Sequence, residues 1–223
     1  MDYRHELKHE INYSDYLQIK HRLSAITKPD PHAQNGKYHI RSLYFDDMKD
    51  TALREKLNGI NRREKFRIRC YDQDTSFIRL EKKSKLNGLG NKQSAMLSAD
   101  NVSQIINGDT SWMINDNQPL VRELYTKINC ENLRPKTIVD YTREPFIYPA
   151  GNVRVTLDYN IRTGYMCTDF LDPDCITLPI KDDAIILEVK WDEFLPTVIL
   201  DAVQLSSRHT TAFSKYAACR IYG

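Results

Sequence analysis

Five stretches of this sequence set a polar, nearly always charged, residue at every second position, and those charges are the residues best suited to chemistry. In Tyr3 to Ile11, Arg4, Glu6, Lys8 and Glu10 share one side of an extended chain; in Glu64 to Tyr71, Lys65, Arg67 and Arg69 do so. Arg79, Glu81 and Lys83 follow in Phe77 to Lys83, Arg154, Thr156 and Asp158 in Val153 to Tyr159, and Glu188 and Lys190 in Ile185 to Trp191. Together these faces carry nine bases and five acids, an excess of four positive charges. Arginine binds phosphate oxygens through paired donors and lysine as a point charge, so several bases in a row suit a linear phosphate. Glu6, Glu81, Asp158 and Glu188 add hard oxygen ligands of the kind Mg²⁺ and Mn²⁺ prefer. Bases and carboxylates together suffice for phosphoryl transfer, which depends on alignment and charge neutralisation more than on a covalent nucleophile.

The elements that must position these groups are strands, because period two is the signature of an extended chain with two unlike faces. Tyr38 to Phe45, Thr137 to Phe146 and a weaker stretch from Thr163 to Phe170 bring the expected number of strands to about eight. Helical spacing predicts a helix through Tyr16, Ile19, Leu23 and Ile26 with Ser14 as N-cap, and a second over Ala99 to Asn107 stopped by Gly108. A third runs from Pro119 to Ile128, and a discontinuous one from Pro196 toward Arg220. The apolar strand faces give the helices a surface to cover. The charged faces then look either into water from an open antiparallel sheet or inward from a sheet closed on itself. An eight-stranded barrel has room inside for side chains or one small ligand, and periodicity alone leaves both arrangements open.

Composition narrows the classes. At 223 residues with 41% hydrophobic and 28% charged residues, the chain has the makings of one folded domain, residues 1–223, rather than a disordered segment. A formal charge of +2 gives no whole-molecule basic field of the kind nonspecific nucleic-acid binders use. The charged faces also lack the aromatic interleaving that stacks bases, which disfavours RNA. The longest apolar runs, such as Ala184 to Leu187, fall far short of the roughly 20 residues that span a bilayer. The mixed-charge start, Met1 to Lys8, has no apolar signal core, so a cytoplasmic location is expected. The five cysteines include no C-x-x-C pair and read as structural thiols, and the six histidines form no metal motif. Asn87-Gly-Leu-Gly90 reads as a turn without the strand and helix that a phosphate loop needs.

Fragments in order along nearly the whole chain carry a resemblance. They are Arg4-His-Glu-Leu-Lys8, Arg41-Ser-Leu-Tyr-Phe-Asp46, Lys56-Leu-Asn-Gly59, Lys65-Phe-Arg-Ile-Arg69, Leu80-Glu-Lys-Lys83, Val139-Asp-Tyr-Thr-Arg143, Val153 to Asp158, Leu187-Glu-Val-Lys190 and Phe213-Ser-Lys-Tyr216. In this set the chain resembles the polyphosphate polymerase (VTC) domain within the triphosphate tunnel metalloenzymes, also called CYTH-like. The resemblance implies an α+β fold built on a closed eight-stranded antiparallel β-barrel, a tunnel with a charged lumen and helices packed outside. It implies transfer of the ATP γ-phosphate onto inorganic polyphosphate with Mn²⁺ or Mg²⁺. Carried over by position, the catalytic bases are Lys8, Arg67, Arg69, Lys83, Arg143, Arg154 and Lys215. Lys56, Tyr141, Ser214 and Lys190 assist in substrate binding. Glu188 is the principal metal ligand, and Glu6, Glu81 and Asp158 belong to the metal shell or orient the bases. Lys92 stands where it could guide a chain.

The sequence departs from the relatives at three places. Arg4 replaces the first acid of the E-x-E-x-K opening found in related triphosphatases and cyclases, which favours the polymerase branch. Lys56 stands where polymerase members can carry Arg, and Ala212 offers no charge where some eukaryotic members have Lys. Two other activities fit the same residues: hydrolysis of triphosphates or nucleotides, and noncatalytic binding of polyphosphate or inositol phosphates.

Overall fold

Strands whose two faces differ so sharply must cover one face with helices, and the computed structural model shows that they do. It describes residues 4–33, 35–87, 89–181, 184–205 and 210–221, so Tyr3, placed in the first expected strand, lies outside the described residues. In chain order the elements are β1 (His5–Ile11), α1 (Tyr13–Ile26), β2 (Lys28–Pro29), β3 (Tyr38–Asp46), α2 (Thr51–Leu57), β4 (Arg63–Tyr71), β5 (Ile78–Leu86) and β6 (Leu89–Leu97). There follow α3 (Ala99–Ile106), α4 (Pro119–Glu131), β7 (Arg134–Tyr148), β8 (Val153–Thr163), β9 (Leu178–Pro179), β10 (Ile185–Trp191), α5 (Thr197–Val203) and α6 (Lys215–Ile221).

The main strands run in the order β1-β10-β8-β7-β3-β4-β5-β6, with the short β2 on β7 and β9 on β8. The two ends of this path, β1 and β6, are not neighbours, so the sheet is open. This corrects the closed barrel expected above, although the α+β class holds. The physical reason is that alternation fixes which face each side chain takes, whereas closure depends on tilt and stagger between strands.

The chain forms two compact units. The first comprises residues 1–39, 141–161 and 181–213, the second residues 40–140, 162–180 and 214–223. In the first, α1 and α5 cover a core of Ile11, Ile19, Leu23, Val155, Leu157, Leu187, Val189 and Ile199. Helix α1 starts at Asn12 rather than Ser14: the Asn12 side chain accepts from the Asp15 amide at 2.8 Å, and the Asp15 carboxylate accepts from the Asn12 amide at 3.3 Å. That reciprocal pair is a capping box.

In the second unit, α3 and α4 cover Phe66, Ile68, Ile78, Leu80, Ala95 and Leu97 with Val102, Ile105, Val121 and Leu124. Burial of each such aliphatic or aromatic side chain contributes about 1.5–3 kcal/mol. Buried ion pairs come near to cancelling their own desolvation cost. The apolar face therefore dominates the stability of the sheet, which leaves its other face open to specialisation. Beyond Thr163 the weaker expected strand gives way to turns, with Tyr165 in the left-handed region at φ 54°.

Candidate functional site

In the second unit, β4 pairs with β3 on one side and β5 on the other, setting Arg67 opposite Tyr44 and Glu81, and Arg69 opposite Ser42 and Arg79. Strand β6 then sets Lys92 opposite Lys83, and Ser94 opposite Glu81. On β4, β5 and β6 the non-helical face thus bears Arg63, Lys65, Arg67, Arg69, Arg79, Lys83, Lys85 and Lys92, eight bases to one acid, Glu81. Arg67 and Arg69 are only 6% and 4% exposed, unusual burial for guanidinium groups.

Glu81 is the hub of this face. One of its oxygens accepts from Arg67 Nε at 2.7 Å and Nη2 at 2.5 Å, and the other lies 3.2 Å from Lys92 Nζ. Burial alone would raise its pKa, but Arg67, Arg69 and Lys92 outweigh burial and hold the carboxyl far below its ordinary range. Arg67 Nη1 also donates to the Tyr44 hydroxyl at 2.8 Å, and Arg69 Nε donates to Ser42 Oγ at 3.0 Å. Burial would push the Tyr44 phenol upward, yet Arg67, Lys65 and Arg69 bring it down to about 7. Arg79 Nε is buried with no hydrogen-bond partner among the described residues.

The first unit holds a more evenly balanced cluster. Strand β10 lies between β1 and β8, setting Glu188 between Lys8 and Thr156, and Lys190 between Glu6 and Arg154. Lys8 Nζ lies 2.6 Å from Glu6 and 3.4 Å from Glu188, while Lys190 Nζ lies 2.9 Å from Glu188. From β7, Arg143 binds both oxygens of Asp158 at 2.6 and 2.7 Å and reaches Glu188 at 3.3 Å, with its guanidinium over the Tyr141 ring. Glu188 is held well below the carboxylate range, because Lys190, Lys8, Glu6 and Arg143 outweigh burial. Lys8 is raised because Glu188 and Glu6 outweigh its burial, whereas burial pulls Lys190 down. Glu188 is therefore a permanent anion among cations.

Glu6 and Glu188 converge on one ammonium, so their oxygens already form a site for a cation. The Thr156 hydroxyl, opposite Glu188 and buried without a hydrogen-bond partner among the described residues, adds another hard oxygen. This donor set fits Mg²⁺ or Mn²⁺ with phosphate oxygens completing the coordination. Glu81 and Asp158 are occupied by arginine. No group of three or more metal-ligating side chains occurs among the described residues.

The expected residues thus gather in two groups, each within one unit. Lys8, Arg143, Arg154, Lys190, Tyr141, Glu6, Asp158 and Glu188 belong to the first; Arg67, Arg69, Lys83 and Glu81 share a face in the second. Lys56 lies on α2. Ser214 precedes α6, where its Oγ accepts from the Ala217 amide at 3.4 Å, and Lys215 opens that helix. Sequence reasoning missed Tyr44 and Ser42, which touch the arginines, and Asp30 and Tyr38, which hold Arg154. Tyr44 and Ser42 lie two apart on β3, a period-two signal without charge to mark it. Asp30 lies in a turn and carried no signal.

The VTC domain family model matches residues 3–221, and the chain belongs to that family. None of the curated proteins compared matches. Among solved structures, a candidate adenylate cyclase from Bacillus halodurans superposes with a TM-score of 0.51 at 13% identity, covering 83% of this chain and 78% of its own. PH1012 protein from Pyrococcus horikoshii OT3 superposes with a TM-score of 0.50 at 12% identity, covering 96% and 97%. These likenesses are of fold, and they agree with the CYTH-like resemblance read from the sequence.

Proposed function

We propose that this chain is a metal-dependent phosphotransferase that moves the γ-phosphate of ATP onto a growing inorganic polyphosphate chain. Family membership supports a phosphate-related function, and the observation that carries the finer reading is the β4–β5–β6 face. Eight bases with one acid, two of the arginines nearly fully buried and a third with an orphaned Nε, form a surface short of negative charge. A polyanion with oxygens along its length supplies that charge.

In this reading Arg67, Arg69, Lys83, Lys8, Arg143, Arg154 and Lys215 bind and neutralise phosphate oxygens, assisted by Lys56, Lys190, Tyr141 and Ser214. Glu81 and Asp158 fix the guanidinium planes of Arg67 and Arg143, which lowers the reorganisation needed when charge shifts. Glu188 and Glu6 would hold a divalent cation, which when bound would offset charge on the phosphate oxygens. A terminal oxygen of the acceptor chain forms a bond to the γ-phosphorus as the bond to the ADP oxygen breaks. The attacking oxygen is already anionic, so no general base is required.

The test is transfer of label from γ-labelled ATP in the presence of Mn²⁺, resolved on a gel. Label in species longer than triphosphate is expected, and Arg67→Ala or Arg69→Ala lowers its rate by at least about 10²-fold, the scale of losing one preorganised donor. Label in orthophosphate alone identifies a hydrolase. Tight polyphosphate binding without turnover, unchanged by Glu188→Gln, identifies a binding module.

A further inference from the structure

Between β8 and β9 the chain runs through residues 164–177 without helix or strand, a length at which an unbraced connection is uncommon. What holds it is a set of local anchors. The Gly164 amide donates to the Ile138 carbonyl at 2.9 Å, and a Cβ added at Gly164 would come within 2.9 Å of the Ile138 Cβ, so the loop leaves β8 pressed against β7. Phe170 is buried in the core of the second unit, and Leu171, Cys167 and Cys175 pack against that core. Arg41, chelated by Asp140, donates a further bond to the Asp172 carbonyl. The Cys167 amide donates a hydrogen bond to the Gly164 carbonyl and the Cys175 amide to the Asp172 carbonyl, which fixes the backbone at both cysteines. Their Sγ atoms stand 2.9 Å apart, although both are free thiols.

We infer that Cys167 and Cys175 are an oxidisable pair that closes to an intrachain disulfide by exchange with a small-molecule disulfide, stapling residues 167–175. The sulfurs need approach by less than about 1 Å to reach the bonded distance near 2.05 Å. Both cysteines are half-buried, within reach of a small oxidant. In the first step the Cys167 thiolate attacks one sulfur of the reagent, forming a mixed disulfide and expelling the other half as a thiolate. Cys175 then loses its proton and attacks Cys167 Sγ, and the second half leaves. Two protein thiols are oxidised, one reagent disulfide is reduced to two thiols, and the two protons lost by the cysteines go to the two leaving thiolates. While both thiols are free, burial and the neighbouring Cys167 push the Cys175 thiol up to about 12, which leaves the first attack to Cys167. None of the residues assigned to phosphate or metal lies in this loop, so the inference stands apart from the proposed function.

The full chain is incubated with oxidised glutathione, remaining thiols are alkylated, and unreduced peptides are mapped by mass spectrometry. A peptide joining Cys167 to Cys175 is expected, with loss of two of the five thiols and a melting temperature raised by roughly 5–10 °C over the reduced protein. Cys167→Ser removes the crosslink and the shift, while Cys130→Ser retains both. Alkylation of both Cys167 and Cys175 after prolonged exposure, or only glutathione adducts at these positions, overturns the inference.

Discussion

Glu81 illustrates how much one side chain can govern. It is the single acid among eight bases on its face and satisfies Arg67 and Lys92 directly. Removing one partner of a buried pair leaves the other charge uncompensated, at a cost of about 3–5 kcal/mol. Glu81→Ala is therefore expected to lower unfolding free energy by that amount in a urea titration, less if a phosphate ligand is present to take its place. Tyr44 makes a pH-dependent prediction. Its folded pKa, about 7, lies below the unfolded value near 10, so its contribution to stability is lost as pH falls through 7 and complete above 10. Wild type minus Tyr44→Phe stability should thus grow between pH 7 and pH 10, with tyrosinate absorbance appearing near pH 7 in wild type alone. A flat difference would remove the phenol from the charge balance of this face. Neither Tyr44 nor Ser42 was legible as a site residue, because an uncharged hydroxyl on a buried strand looks like any other until its register against Arg67 and Arg69 is known.

At the scale of elements, legibility followed the strength of the pattern. Strands β1, β4, β5, β8 and β10 announce themselves by polar, mostly charged, residues at every second position, and α1, α3 and α4 by apolar spacing. Strand β6 was missed because Leu89 to Leu97 mixes glycine, polar and small residues. It owes its shape to pairing with β5 from Ile78 to Leu86, a tertiary cause that places Lys92 on a strand opposite Lys83. Helix α2 was missed because its capping group comes from upstream: the Asp46 carboxylate accepts the amides of Ala52 and Leu53 at 2.9 and 3.2 Å, and also binds the Tyr216 hydroxyl. The reciprocal cap at α1 makes a cleaner test of element stability. Asn12→Ala is expected to cost about 1 kcal/mol in denaturant titration while leaving phosphate binding unchanged. A core truncation under α4, Leu124→Ala, is expected to cost about 2–5 kcal/mol, because Leu124 is fully buried.

For the molecule as a whole, the sequence carried the family and the α+β class but not the connection of the sheet's ends, which no local pattern encodes. Within each unit the same plan recurs: helices on the apolar face of the strands, charges on the other. No helix of the described residues is long and apolar enough to cross a membrane. The charge balance differs between the units, with base excess on β4, β5 and β6 and paired acids and bases around Glu188. The measurement that bears most directly on the proposed chemistry is phosphorus NMR of the protein with ATP and Mg²⁺. A growing internal-phosphate resonance in step with ADP, absent in Glu188→Gln, is the predicted result. Accumulation of orthophosphate alone, or a spectrum that never changes, contradicts it.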